Sequence, residues 1–380
     1  MLRRVGIVAW EQSKSELEKE EPREDMIYYL VKALLEKNEI KREEIDTVIQ
    51  CSNDYYDGRT ISNVFTVVPS GAYLKQETKV EQDGAWAVFY AMMRIASGHF
   101  DTALVVGYSK GSEFDPWLAH SYCLDPTYDR QFKFLNDCSC SALQARAYME
   151  AYNLTPQDLA LVSVKNLTNG AKNPLSARGF SQLTVEQVLE SPLYSDPLRE
   201  LMCYPFTDGA CAIILASEEK AKKLTDKPVW ILGASCCQEE AYLGARDLTQ
   251  LSSLKKSAEK AYKMAGINSP SEIGVFEVSE FYAHQELMIT EALGLAEPGK
   301  GAELLKKGDT QLNGKHPVNP SGGALSANPL CATGMLRIME AGKQLRGEAG
   351  EHQVDHPQLA LAHGQYGICA QSNIVLILGR

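Results

Sequence analysis

Long apolar runs are missing from these 380 residues. The longest, such as Ala210 to Ala216 and Ile374 to Leu378, fall far short of the roughly 20 residues a bilayer span needs. No membrane segment is expected. Positive charge is also scarce. With 38 Lys and Arg against 49 Asp and Glu, the formal net charge is -11, and a nucleic-acid partner, which calls for a basic surface, is excluded. The N-terminal stretch Met1 to Trp10 is basic and then apolar, but lacks an h-region and a small-residue cleavage site, so it reads as a first strand. No P-loop or Gly-x-Gly-x-x-Gly opens a helix. The ten cysteines show neither zinc-site spacing nor a redox CxxC pair, and Cys138-Ser139-Cys140 and Cys236-Cys237 do not repair that, so no metal is expected. Their scatter suits reduced, buried thiols in a cytoplasmic protein. What remains is 44% hydrophobic and 23% charged, the balance of a globular chain with ample core material.

The order of elements occurs twice. A strand at Val5 to Trp10, a helical stretch from Asp25 to Lys37, the turn Glu39 to Asp46 and a strand into Ile49 open the first half. A strand from Val229 to Gly233, a helical stretch from Ser253 to Ala265, the turn Gly266 to Gly274 and a strand into Phe276 open the second. Further on, Met92-Met93-Arg94-Ile95-Ala96-Ser97-Gly98 precedes the apolar strand Thr102 to Gly107. Met335-Leu336-Arg337-Ile338-Met339-Glu340-Ala341-Gly342 precedes the apolar strand Leu359 to His363. Glycine past each helix end is the usual C-cap, which places the ends at Gly98 and Gly342. Continuously apolar strands alternating with helices predict mainly parallel sheets covered on both faces. The halves span 1–220 and 228–380. An excursion at about 113–204, rich in Pro, Tyr, Asn and Asp, carries one clear helical stretch from Ser141 to Tyr152. Insertions of this kind carry substrate contacts. Its aromatics Tyr122, Tyr128, Phe132 and Phe134 hint at a bulky or aromatic substrate.

The string Val318-Asn319-Pro320-Ser321-Gly322-Gly323-Ala324-Leu325-Ser326-Ala327-Asn328-Pro329-Leu330-Cys331-Ala332-Thr333-Gly334 resembles the thiolase signature N-x-x-G-G-x-x-x-x-G-H-P-x-G-A-[ST]-G. Phe206 to Glu219, Ile95 to Gly107 and Ala362 to Gly367 extend the resemblance over essentially the whole chain. It implies an α/β protein with the five-layer αβαβα fold, built from two duplicated βαβαβαββ halves. It also implies a coenzyme A thioester as substrate with no permanently bound cofactor, and at least a homodimer. Some superfamily members that lack parts of the signature work with a small zinc-binding OB-fold partner, so such a partner is expected as well.

Against that family the chain departs at its centre. Thiolases place a nucleophilic cysteine at the start of the helix that here ends in Ile95-Ala96-Ser97-Gly98. No cysteine lies between Ser52 and Tyr122, and ungapped counting puts Glu81 at the cysteine position, with Asp83 beside it. A helix N-terminus favours an anion, so either acid is a candidate base or a capping acid. Should acyl transfer persist, the alternative nucleophiles are Cys138, Cys140, Cys331 and Cys369. Asn328 stands where the family has the histidine of Gly-His-Pro; it can donate to a thioester oxygen but not carry a proton. His363 follows a buried strand at its carboxyl end, in the His-Gly pattern of lipid-transfer-type members, and is the expected base. Ser279, in Ser279-Glu280-Phe281-Tyr282-Ala283, matches the family's water-positioning Asn. Tyr282 and Tyr366 are candidate proton donors. Asn319, Gly322 and Gly323 are expected to shape the substrate site, and His316 is read as a surface residue.

Three functions fit. One is thiolase-type acyl transfer, making or cleaving a carbon–carbon bond beside a thioester, expected as the work of one subunit in a heteromeric complex. The second is a retro-aldolase acting on a β-hydroxyacyl-CoA, which needs a base and an oxyanion pocket but no acyl-enzyme. The third is a non-catalytic acyl-CoA-binding subunit.

Overall fold

The computed structural model describes residues 3–122 and 124–380. Nine strands form one sheet: β1 (Val5–Gln12), β2 (Thr47–Cys51), β3 (Gln76–Val80), β4 (Thr102–Lys110), β5 (Asp208–Ser217), β6 (Val229–Gln238), β7 (Val275–Glu277), β8 (Leu359–Tyr366) and β9 (Ser372–Gly379). Their order is β3-β2-β4-β5-β1-β6-β9-β8-β7. The midpoint is the short antiparallel contact of β1 with β6, Gly6 opposite Trp230 and Ile7 opposite Val229. Outward from it, β1, β5, β4 and β2 on one side correspond to β6, β9, β8 and β7 on the other.

Strand direction differs from expectation. β5 runs antiparallel to both β4 and β1, and β9 to both β8 and β6; only β2 with β3, β2 with β4, and β7 with β8 pair in parallel. A continuous apolar run reports cover on both faces, not strand direction. In β5, Ile213 and Leu215 face one layer while Ile214 and Ala216 face another, so the period of two is present but invisible in a sequence apolar at every position.

The helices that matter here are α1 (Arg23–Lys37), α2 (Gly84–Ala96), α3 (Asp137–Tyr152), α4 (Pro156–Gly170), α5 (Ser252–Ala265), α6 (Ala283–Ala292) and α7 (Thr333–Arg346). α2 and α7 lie between the two halves of the sheet. Ala87, Ala91 and Ile95 from one, with Met335, Ile338 and Met339 from the other, share a core with Val105, Ile213, Ala362 and Leu376. α1 covers the far face of the first half through Ile27 and Leu34. α5 and α6 cover the far face of the second through Leu254, Ala258 and Leu287. The result is five layers, αβαβα.

Two sequence expectations change. α7 does not stop at Gly342. It continues to Arg346 and is capped by Gly347 at φ 74; Gly342 is internal, where a Cβ would press within 3.0 Å of the Trp10 ring. The glycine is there for packing, not capping. The excursion, which leaves after β4 and returns at β5, is also more helical than one stretch. It holds a short helix at Pro116–Ser121, then α3, α4 and a further turn at Val185–Glu190. Thr155 with Asp158, and Thr184 with Gln187, begin two of these helices with capping boxes, the first with Pro156 at its opening position.

Candidate active site

β3 ends at Val80, and the chain turns through Glu81 and Gln82 into Asp83, the N-cap of α2. The Asp83 carboxylate accepts from the backbone N–H of Ala85 at 2.9 Å, its own helix, and from Gly334 at 2.7 Å, in the first turn of α7. One carboxyl group therefore joins the positive ends of the two central helices. Glycine makes room for it. A Cβ on Gly334 would overlap Oδ1, and one on Gly364 of β8 would stand 2.7 Å from it. Asp83 is 2% exposed. Burial is the largest influence on it and raises its pKa to about 7, opposed by the backbone donors of Ala85, Gly334 and Gly84 and by the charge of Arg337. Near neutral pH it holds or releases a proton with equal ease.

Asp83 lines a narrow cleft together with Tyr56, Gln82, His120, Asp137, Cys331, Gln365 and Tyr366, closed by Phe281, Leu330 and Gly367. His120 Nδ1 stands 2.7 Å from the Pro116 carbonyl, which can only accept, so Nδ1 carries the proton and Nε2 accepts from the Tyr56 hydroxyl at 2.9 Å. The Tyr366 hydroxyl accepts from Asn53 Nδ2 at 3.1 Å. Asp137, the first residue of α3, receives the hydroxyls of Tyr282 and Tyr204 on the same oxygen, Oδ2, at 2.7 and 2.8 Å. Burial and the Asp137 charge hold both phenols far above their usual pKa, so they stay protonated as donors.

Of the residues singled out in the sequence, Asp83, Tyr366 and Cys331 line this cleft, and Tyr282 stands behind it on Asp137. The others lie elsewhere. Glu81 is turned outward: its side chain is 53% exposed and pairs with Lys79 at 2.7 Å. Ungapped counting placed it at the centre, but the helix begins at Gly84, and Asp83, its N-cap, is the acid that turns inward. With the Glu81 carboxylate in solvent, the pair contributes about 0–1 kcal/mol. Glu81→Gln is therefore expected to leave both melting temperature and turnover within experimental error of the unaltered protein, as measured by thermal melts and initial rates.

His363 also leaves the expected role. Gly364 faces Asp83, so the preceding side chain of the strand points to the opposite face. There His363 Nδ1 accepts the Ser279 N–H at 3.4 Å, and Nε2 donates to Asn373 Oδ1 at 2.9 Å. Burial lowers its pKa to about 4. A neutral imidazole with both nitrogens engaged, behind the sheet, is a structural tie rather than a base. Ser279 shares that tie, its hydroxyl donating to the His363 carbonyl at 3.0 Å, and does not line the cleft.

Asn319, Gly322 and Gly323 sit in a buried polar network away from the cleft. Asn319 donates to Glu280 at 2.7 Å and to Glu286 at 3.0 Å, and Glu286 pairs with Lys165 at 2.8 Å. Burial, with Glu286 next, raises the pKa of Glu280 to about 8. Gly322 packs on Gly170 and Gly323 on Glu280, both at positive φ. These residues fix the loop before α7 and do not touch the cleft. Asn328 accepts from the Thr333 hydroxyl, and its buried Nδ2 has no partner among the described residues. Cys138, Cys140 and Cys369 are buried off the cleft; burial pushes Cys140 up to about 12 and Cys369 well above the usual thiol value. His316 is buried, not surface, with its ring on Phe276. Tyr122, Tyr128, Phe132 and Phe134 are exposed and line no part of the cleft.

Asp137, Gln365, His120 and Tyr56 were not found by reading the sequence. Asp137 follows Asn136, which accepts the Ser139 N–H at 2.9 Å as a helix cap, so locally it reads as an ordinary first-turn acid. Its tyrosine partners lie 67 and 145 residues away.

Comparison with known proteins agrees with this architecture. Residues 234–380 match the family described as thiolase C-terminal domain-like. An acetyl-CoA acetyltransferase of Methanothermobacter thermautotrophicus is 36% identical over 292 residues, which is 75% of this chain and 76% of that protein. The benzoylsuccinyl-CoA thiolase subunit BbsB of Thauera aromatica is 32% identical over 61% of this chain and 60% of its own length. Among solved structures, an Ltp2–ChsH2(DUF35) aldolase superposes with a TM-score of 0.86 over 100% of this chain and 98% of that one, at 21% identity. The chain belongs to the thiolase superfamily. No helix among the described residues is long and apolar enough to cross a membrane.

Proposed function

We propose that this chain cleaves or forms a carbon–carbon bond next to a coenzyme A thioester by an aldol-type route, with a β-hydroxyacyl-CoA on one side of the reaction and a shorter acyl-CoA plus an aldehyde or ketone on the other. The observation that carries this is Asp83: a carboxyl group with a pKa of about 7 occupies the start of α2, where the family's nucleophilic thiol is expected. A carboxylate accepts an acyl group poorly, but moves a proton at the α carbon well. In the condensing direction Asp83 takes the α proton; in the cleaving direction its protonated form returns it. Tyr366, which lines the cleft, is the donor proposed to face the thioester oxygen as enolate charge develops. The aldolase named among the structural neighbours supports this reading. The same name, and the description of BbsB as a subunit, support a partner protein, for which a small zinc-binding OB-fold chain is our candidate, on a dimer of this chain.

Acyl transfer of thiolase type is the second reading, favoured by Cys331, the one singled-out cysteine that lines the cleft, and by the acetyl-CoA acetyltransferase relatives. Intact mass spectrometry after incubation with acyl-CoA and β-hydroxyacyl-CoA separates the two. Free aldehyde or ketone, without added CoA and without an adduct, is expected. An acyl adduct on Cys331 would establish the second reading, and binding without turnover, even with the partner present, a non-catalytic subunit.

A further inference from the structure

Asp137 and Gln365 present acceptors to the cleft that the protein itself leaves unused. Both tyrosine hydroxyls converge on Asp137 Oδ2, whereas Oδ1 receives no hydrogen bond from the described residues, although Asp137 is only 4% exposed and lines the cleft. Gln365 is 1% exposed; its Nε2 donates to the Ser279 carbonyl and to Gln285 Oε1, and its own Oε1 has no partner among the described residues. A buried acceptor without a donor, as Gln365 Oε1 is, is costly, and Asp137 Oδ1 is a second acceptor at the same cleft, so the pair is suited to a ligand that brings hydrogen. A β-ketone brings none. A β-hydroxyl brings the one proton that the aldol reaction must remove.

We infer that Asp137 is the base that takes the proton of the substrate β-hydroxyl, with Gln365 Oε1 beside it as a hydroxyl-selecting acceptor. This rests on the aldol reading above and adds the group that starts the cleavage. The O–H proton passes to Asp137 Oδ1 and the O–H electron pair becomes the second bond of the new carbonyl. The Cα–Cβ bond breaks, its pair moving onto the thioester as an enolate. Protonated Asp83 then delivers its proton to the enolate carbon, releasing the shorter acyl-CoA. Asp137 gains one proton and Asp83 loses one, and exchange with solvent restores both. The tyrosines act as positioning residues: with Oδ2 held by Tyr204 and Tyr282, only Oδ1 can turn to the substrate.

The two carboxyls then divide the reaction, and the division is measurable. Asp137→Asn is expected to lower aldehyde release from 3-hydroxyhexanoyl-CoA and 3-hydroxy-3-phenylpropionyl-CoA by at least about 100-fold. Exchange of the α protons of hexanoyl-CoA with D2O, which needs Asp83 and the donor to the thioester oxygen but no β-hydroxyl base, should stay within about threefold and also reports that the variant is folded. Cleavage retained in Asp137→Asn overturns the assignment, as does equal loss of cleavage and exchange in a variant with unaltered circular dichroism. No aldehyde from the unaltered protein on either substrate, with its partner supplied, removes the aldol reading itself, an outcome distinct from a failure of Asp137 alone.

Discussion

Asp83→Asn should lower α-proton exchange from a saturated acyl-CoA into D2O by about 10²–10⁴-fold, the range over which a positioned general base acts. Carbon–carbon bond turnover should fall with it. The substitution keeps size and one acceptor oxygen, so the bridge from α2 to the Gly334 N–H can persist in part, and binding of the acyl-CoA, followed by calorimetry, should change little. Loss of rate with retained binding is the signature of a group that acts on the proton. Equal losses of both would assign Asp83 to holding the two helices together.

Arg337→Met should give the largest loss of stability. Arg337, 2% exposed on α7, donates to Glu277 at 3.0 Å and to the Ser321 hydroxyl at 2.8 Å, and Glu277 on β7 is fully buried. Removing one partner leaves the other charge uncompensated in the interior, at a cost of about 3–5 kcal/mol. Burial already raises the Glu277 pKa, and the arginine opposes that rise. Without it the folded-state pKa climbs further above the unfolded value. A raised carboxyl pKa favours folding at low pH and penalises it as pH rises, so the deficit should be larger at pH 8 than at pH 5 in denaturant titrations. The double variant with Glu277→Gln should recover part of it. Because Arg337 also holds down the Asp83 pKa, Arg337→Met should move the midpoint of α-proton exchange above pH 7.

The duplicated order and the five layers were legible because each strand and helix announces itself locally, and because the signature around Asn319 to Gly334 is long. What counting could not place was a matter of two residues. Glu81 and Asp83 are both acids ahead of the same helix, and only the cap geometry decides which one turns inward. His363 shows the same limit in a strand. One position along β8 separates the face that meets Asp83 from the face that meets Asn373, and a strand buried on both sides carries no polar alternation to mark the difference. Asp137 depends on contacts with Tyr204 and Tyr282 made through the tertiary fold, which no local spacing encodes.

Asn319, Gly322 and Gly323 teach a related point. They belong to the signature that identified the superfamily, yet here they are tied into the Glu280–Glu286–Lys165 network. The loop they fix leads into Leu330 and Cys331, which line the cleft, and on to the first turn of α7, where Gly334 meets Asp83.

The most direct test is the pH dependence of α-proton exchange from hexanoyl-CoA in D2O, read by NMR or mass spectrometry on the unaltered protein. With Asp83 as the base, the rate is low when its carboxyl is protonated, rises as pH increases through about 7, and levels off above, with no acyl group on the protein. Exchange that disappears on thiol alkylation of Cys331, accompanied by an acyl adduct on that residue before alkylation, would contradict the account.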